Sequence, residues 1–279
     1  MLLTVLGTAT PYPRPGNACS GYLLQSGAGG AHGAGAAGGE AGATGAGAAP
    51  AQPERLTTIW IDAGTGTLAE LQRHTTLPEL DAIWISHRHA DHSADLLVAY
   101  YALRFAELRP AHPIPLFGPE GLLERLGAFL GPNSVDELPR VFDFRPLSGF
   151  GEARVGPLAL SWGPVQHGVP AFGLTVDEGL RRFAYSGDSA PCLSLEEIAE
   201  NADLLLVEAG YATSEAAGTD APAHHTPEDT GRTATTSGAR HLVLTHIADT
   251  VSPAEARARA SACYDGPITV AEPGARIPI

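Results

Sequence analysis

His87-Arg88-His89-Ala90-Asp91-His92 places three histidines and one aspartate within six residues. An apolar run, Ala82-Ile83-Trp84-Ile85, leads into it and reads as a buried strand. On extended backbone alternate residues share a side, so His87 and His89 face one way. A turn after them would swing Asp91 and His92 toward a neighbouring point. Neutral imidazole suits zinc, and a carboxylate adds a hard oxygen ligand. One histidine in a polar loop would mean little; this grouping at the end of an apolar strand predicts a metal site. Three more polar residues stand just past β-rich runs: His167 after 158–165, Asp188 after 182–185, and His246 after 242–245. Each alone would pass for a strand cap. Together with the first cluster they predict ligands presented by sheet rims to one cleft.

The elements that must position them alternate. Strand signals fall at 2–6, 57–61, 82–85, 115–118, 141–144, 158–165, 172–176, 182–185, 204–207, 242–245 and 268–270. Helix signals fall at 67–74, 94–107, 119–130, 195–200, 227–237 and 253–263. Thr226-Pro227-Glu228-Asp229 is a helix start, with Thr as N-cap, Pro at the first position and acids in the first turn; Gly238 ends that helix. The mixture predicts one α/β domain over 1–279, an αββα sandwich of two mixed sheets face to face with helices on the outer faces. Residues 27–53 hold 21 Gly or Ala and one charge, Glu40. So little side chain to bury predicts a disordered hairpin insert, and His32 within it is given no metal role.

The 279 residues are 44% hydrophobic and 17% charged, a globular composition. No apolar run approaches 18 residues, and the start, Met1-Leu2-Leu3-Thr4-Val5-Leu6-Gly7, reads as a strand rather than a signal peptide. Cys19, Cys192 and Cys263 are too few and too scattered for a disulfide framework or a cysteine-based zinc site. A cytoplasmic protein with no membrane partner is expected. Net charge is −14, which repels nucleic acid polymers. All 17 basic residues are arginine, so no lysine is present to act as base or Schiff-base former.

With these residues in order, the sequence resembles the metallo-β-lactamase-fold hydrolases from Leu2 nearly to its end. The family pattern is an Asp after an early strand, then HxHxDH, a lone His, a lone Asp and a lone His. Asp62 in Trp60-Ile61-Asp62-Ala63-Gly64 matches the first position. The resemblance implies two Zn2+ ions, with Mn2+ or Fe as alternatives. His87, His89 and His167 would hold one, Asp91, His92 and His246 the other, and Asp188 would bridge them. Asp62 would stand behind the ligands and orient their loop. Such a pair lowers the pKa of bridging water and clamps the oxygens of an in-line displacement. Asp91 would orient the water or take its proton.

The ribonuclease-Z-like branch is resembled by Leu3-Thr4-Val5-Leu6-Gly7-Thr8, Tyr185-Ser186-Gly187-Asp188-Ser189 and Leu244-Thr245-His246-Ile247. Within that branch, Leu71-Gln72-Arg73-His74, Phe117-Gly118-Pro119-Glu120-Gly121 and Val141-Phe142-Asp143-Phe144 are similar to actinobacterial proteins related to cyclic-nucleotide phosphodiesterases. Glu208-Ala209 matches the branch's Glu-Ala, and His224-His225-Thr226 its His-Ser-Thr. The resemblance makes Glu208 and His224 helpers in protonating the leaving group, with His225 next in line for that role and otherwise a substrate contact. The family's His before Glu-Ala is Val207 here. Only 20 residues separate His167 from Asp188, so the long arm of tRNA-processing enzymes is missing. A small phosphodiester such as a cyclic nucleotide is the expected substrate. A lactone, thioester or β-lactam-like acyl substrate is the alternative; a tRNA 3′-end endonuclease and a non-catalytic metal-binding protein rank below it. A homodimer is expected only by analogy with relatives. His74, His112 and His241 carry no role in this reading, and Arg88 is expected to point away from the metals.

Overall fold

The structure is a computed structural model that describes residues 1–27, 55–106, 108, 110–214 and 222–279. All of the Gly/Ala-rich stretch except Gly27 lies outside the described residues, and so does the expectation attached to it.

The first sheet contains β1 (Leu2–Ala9), β2 (Ala18–Cys19), β3 (Gly21–Gln25), β4 (Thr58–Ile61), β5 (Ala82–Trp84), β6 (Ile114–Pro119), β7 (Phe142–Leu147) and, from the far end of the chain, β15 (Arg276–Pro278). Its order is β15-β1-β3-β4-β5-β6-β7, with β2 paired to β1. The second sheet contains β8 (Gly151–Val155), β9 (Leu158–Pro164), β10 (Phe172–Glu178), β11 (Arg181–Tyr185), β12 (Leu204–Ala209), β13 (Leu242–Ile247) and β14 (Ile268–Val270), in the order β14-β13-β12-β11-β10-β9-β8. Both sheets mix parallel and antiparallel pairs. The helices are α1 (Thr67–Leu71), α2 (Ala90–Ser93), α3 (Asp95–Phe105), α4 (Leu122–Leu130), α5 (Pro132–Val135), α6 (Leu193–Ile198), α7 (Pro227–Thr236) and α8 (Pro253–Ala260). None is long and apolar enough to cross a membrane.

The central strands are apolar at successive positions because both of their faces are covered. In β5, Trp84 enters the core between the sheets with Tyr22, Ile61, Phe183, Tyr185 and Leu206. Its neighbours Ile83 and Ile85 enter a second core against Leu96 and Tyr100 of α3 and Leu122 and Leu126 of α4. In β12, Leu204 and Leu206 face inward, whereas Leu205 and Val207 pack with Ala234 of α7 and Ala256 and Ala260 of α8. This is the αββα sandwich read from the sequence.

Two boundaries differ in ways that matter. The helix expected at 94–107 has a forerunner: Ala90 to Ser93 is already helical, so Asp91 and His92 sit on a helical turn rather than in a loop. His89 keeps extended backbone as its N-cap, and the Ser93 hydroxyl donates to the His89 carbonyl at 2.8 Å, tying the turn shut. Strands β8 and β15 carried no sequence signal, since one is short and charged on its exposed side and the other is an edge strand ending in proline. The start of α7 is as expected. Asp229 N–H donates to Thr226 Oγ1 at 3.3 Å and Thr226 N–H donates to the Asp229 carboxylate at 3.2 Å, a reciprocal capping box.

The turn after β4 is packed against this helical turn backbone to backbone. Ala63 N–H donates to the His92 carbonyl at 2.7 Å, and a Cβ on Gly64 would collide with the carbonyls of Asp91 and Ser20. Gly64→Ala is therefore expected to lower stability by about 3 kcal/mol or more, read from urea unfolding. An unchanged midpoint would show that the turn yields freely.

Candidate metal centre

The strands that carry the predicted residues run in one direction and deliver them at their C-terminal ends. Asp62 follows β4, the His87–His92 stretch follows β5, His167 follows β9, Asp188 follows β11, and Glu208 and His246 lie near the ends of β12 and β13. In α/β sheets this rim is where ligands bind. Two non-glycine residues on it have left-handed backbone, Asp62 at φ 51° and His246 at φ 48°. Strain of this kind, of order 1–3 kcal/mol per residue, persists where the surroundings over-determine it.

Two groups of donors meet at the rim. His87 Nε2 lies 3.0 Å from His89 Nδ1, which lies 3.1 Å from His167 Nε2. Around a tetrahedral zinc with Zn–N near 2.0–2.1 Å, neighbouring donors are about 3.3 Å apart, so this spacing fits one cation with a small expansion. His167 Nδ1–H donates to the Ala223 carbonyl at 2.8 Å, which leaves Nε2 as a bare lone pair. In the second group, Asp91 Oδ2 lies 3.4 Å from His246 Nε2 and 3.8 Å from His92 Nε2. Asp188 stands between the two groups. Its Oδ1 is 3.2 Å from His92 Nε2, and its Oδ2 is 3.7 Å from His87 Nε2 and 3.5 Å from His246 Nε2. Five sets among the described residues, His87/His89/His167, His87/His92/Asp188, Asp91/His92/His246, His167/Asp188/His224 and Glu208/His224/His246, each bring one donor atom per residue within 4.8 Å of the others.

Electrostatics agree with a cation here. His92 Nε2 and Asp188 Oδ1 are buried, face each other and have no hydrogen-bond partner. Leaving such groups unmatched costs about 1–3 kcal/mol each. Burial, reinforced by His92, pushes His87 well below the ordinary histidine pKa, and burial with His167 pushes His89 down. Both are thus neutral, the form that ligates metal. Burial also disfavours a charged His92, yet Asp188 and Asp62 outweigh it and hold its pKa well above the ordinary value. Asp188 is buried too, and His246 and His92 hold it ionised against that penalty. The donors and their charges fit divalent cations.

Behind the donors, Asp62 is completely buried. Its Oδ2 accepts from His92 Nδ1–H at 2.7 Å, from Ser86 Oγ–H at 2.8 Å and from Tyr185 O–H at 2.7 Å, and its Oδ1 accepts from Ser86 N–H at 2.7 Å. The sequence reading assigned no role to Ser86 or Tyr185. Their signals were faint: one precedes His87, and the other opens Tyr185-Ser186-Gly187-Asp188. Arg88 points away from the donors, its guanidinium packed beside Gly121 at the start of α4.

Glu208 and His224 are also brought together. His224 Nδ1 is 2.9 Å from Glu208 Oε1 and 3.9 Å from Asp188 Oδ2, with its ring against those of His167 and His246. Burial pulls the His224 pKa down, but Glu208 overrides it by charge and hydrogen bond and raises it to about 9. Gly210 is bare for this reason: a Cβ there would stand 2.8 Å from His224 Nδ1 and 2.9 Å from Glu208 Oε2.

His225 is a correction. It was expected as a second substrate contact, but it is fully buried, with Nδ1 donating to the Ser189 carbonyl at 2.5 Å and Nε2 accepting from Thr233 Oγ1 at 2.9 Å. Its neighbour His224 turns the other way, to Glu208, so only one of the two histidines reaches the cleft. His225→Ala is expected to cost about 2 kcal/mol or more in unfolding free energy, with kcat of the folded protein changed only a few-fold. A collapse of kcat at unchanged stability would put His225 back at the substrate.

Comparison with known proteins points the same way. Residues 57–247 match the family model described as the beta-lactamase superfamily domain, a stretch that runs from just before Asp62 to just past His246. An uncharacterized protein of Mycobacterium tuberculosis is 31% identical over 269 residues, covering 95% of this chain and 88% of its own. The crystal structure of YhfI from Bacillus subtilis, a metallo-beta-lactamase fold protein, superposes with a TM-score of 0.78 at 22% identity, covering 99% of each chain. Ribonuclease Z of Myxococcus xanthus is 26% identical over 267 residues, covering 76% of this chain and 85% of its own.

Proposed function

The chain belongs to the beta-lactamase superfamily and is a metal-dependent hydrolase, and from that premise we propose that it holds two zinc ions and cleaves a small phosphodiester of the cyclic-nucleotide class. When bound, the metal pair would supply Lewis-acid polarisation of the phosphoryl group and a lowered pKa for the attacking water. His87, His89 and His167 would hold one ion, Asp91, His92 and His246 the other, with Asp188 shared.

The observation that carries the phosphodiester reading is the Glu208–His224 pair set against these donors. Ester cleavage at phosphorus expels an alkoxide, which is a poor leaving group unless it is protonated. His224 is raised to about 9, so it carries a proton at neutral pH, and it lies beside Asp188. It therefore donates that proton to the departing oxygen, while Glu208 fixes its tautomer and stabilises its charge. Asp91, partly exposed beside the donors, accepts a hydrogen bond from the attacking water and takes its proton. Similarity to a ribonuclease supports phosphodiester chemistry. The net charge of −14 and the short 167–188 connection favour a small substrate over an RNA polymer.

Elemental analysis of the purified full chain is expected to give two zinc per chain, and stripping by a chelator to abolish hydrolysis of a cyclic nucleotide until zinc is returned. Failure of the zinc-loaded protein to cleave either a cyclic nucleotide or bis-p-nitrophenyl phosphate would overturn the substrate class. Asp91→Ala is expected to lower kcat by about 10³-fold on both substrates. His224→Ala is expected to lower it about 10²-fold on the cyclic nucleotide and much less on bis-p-nitrophenyl phosphate, whose phenolate departs without a proton. Equal losses on the two substrates would mean that His224 is not the acid.

A further inference from the structure

We infer that Ser86 is a positioning residue which extends the grip of Asp62 to the other metal position, so that one buried carboxylate presets a histidine ligand of each ion. This rests on the metal reading above but not on the identity of the substrate.

The wiring follows from counting protons. Asp62 is an acceptor only, with donors on both oxygens. The Ser86 hydroxyl has a single hydrogen. It lies 2.8 Å from Asp62 Oδ2 and 3.0 Å from His87 Nδ1. The carboxylate is the stronger acceptor, so that hydrogen points to Asp62. The serine oxygen must then accept from His87, which requires the proton of His87 on Nδ1. That leaves Nε2 bare, and Nε2 is the atom that lies 3.0 Å from His89 Nδ1 and 3.7 Å from Asp188. On the other side, His92 Nδ1–H donates straight to the same Asp62 oxygen at 2.7 Å, and its Nε2 is buried without a hydrogen-bond partner among the second set of donors.

Two histidines five residues apart, one for each ion, thus take their tautomer from one carboxylate, His92 directly and His87 through a hydroxyl. Ser86 is fully buried and fixed at both backbone groups, with N–H to Asp62 Oδ1 at 2.7 Å and C=O accepting from Phe172 N–H of the second sheet at 3.0 Å. Its hydroxyl is therefore held in place without freedom to seek another partner. Outer partners of ligating histidines typically contribute 10–100-fold in metal affinity.

The test uses the zinc-loaded full chain. Proton–nitrogen NMR of the histidines is expected to show His87 and His92 both protonated on Nδ1, with resonances that exchange slowly with solvent. In Ser86→Ala the His87 signal is expected to shift and exchange fast while that of His92 stays, and chelator competition is expected to show one of the two zinc steps weakened about 10-fold. Tyr264→Phe serves as a control, because its hydroxyl donates at 2.8 Å to the buried Ala239 carbonyl far from the rim; it is expected to leave both zinc steps unchanged. A wild-type His87 protonated on Nε2, an unaltered His87 signal in Ser86→Ala, or equal weakening of both zinc steps would overturn the relay. The NMR measurement on the unaltered chain holds even where the variant does not fold. Absence of zinc binding in the wild type would instead overturn the metal reading of the preceding section.

Discussion

The site depends on one buried negative charge. Asp62 is buried at the end of β4, and its negative charge is stabilised by four hydrogen bonds. A carboxylate in that position would cost several kcal/mol if left bare, so its donors must be in place before the charge is tolerable. Three donors come from the His87–His92 stretch and its approach, and the fourth, Tyr185, comes from the other sheet. Satisfying Asp62 therefore docks the two sheets at the rim where the ligands emerge. The left-handed backbone at Asp62 is the local cost of aiming its side chain back into the molecule.

Glu208 repeats the device with different partners. It accepts backbone N–H groups from Ser189 at 3.1 Å, from His225 at 3.2 Å and from Gly210, and then holds His224 by Nδ1. In both places a buried carboxylate sets the orientation and tautomer of an imidazole. The consequences differ because of what lies beyond the ring. Past His92 stands Asp188, 3.2 Å from Nε2, and a shared cation there would take the place of the proton that Asp188 and Asp62 otherwise favour on that ring. His224 keeps its proton, because Glu208 and, from 3.9 Å, Asp188 raise its pKa to about 9 against the cost of burial. On the proposed reading, one device thus serves a metal ligand and a proton donor a few ångströms apart.

What could be read from the sequence follows chain locality. The cluster at 87–92 is contiguous and chemically dense, and His167, Asp188 and His246 each follow an apolar strand, so strand ends alone located them. The sandwich was legible because β5 and β12 are apolar at successive positions, which only a strand covered on both faces requires. Ser86 and Tyr185 were not legible. Their roles are defined by Asp62, 24 and 123 residues away in the chain, and serine and tyrosine at strand ends ordinarily do nothing but face water. Nor could the sequence show that only one of His224 and His225 reaches the cleft. Adjacent histidines look alike in sequence, and the side each takes is decided by Ser189 and Thr233, which capture His225 from within.

The acidity of the site constrains the order in which it can work. Asp91 and Asp188 stand among the donors, Asp62 and Glu208 behind them, and the chain as a whole carries −14. At distances of a few ångströms and reduced dielectric, each of these charges would repel an anionic phosphodiester by more than thermal energy. His224 supplies one positive charge, and Arg88 turns its guanidinium away toward α4. On the proposed reading, attraction for an anion would therefore arise only after cations had reversed the sign of the pocket. Metal binding would then be a condition for substrate binding as well as for chemistry, and residues that act on metal affinity from behind the ligands would reach the substrate through it.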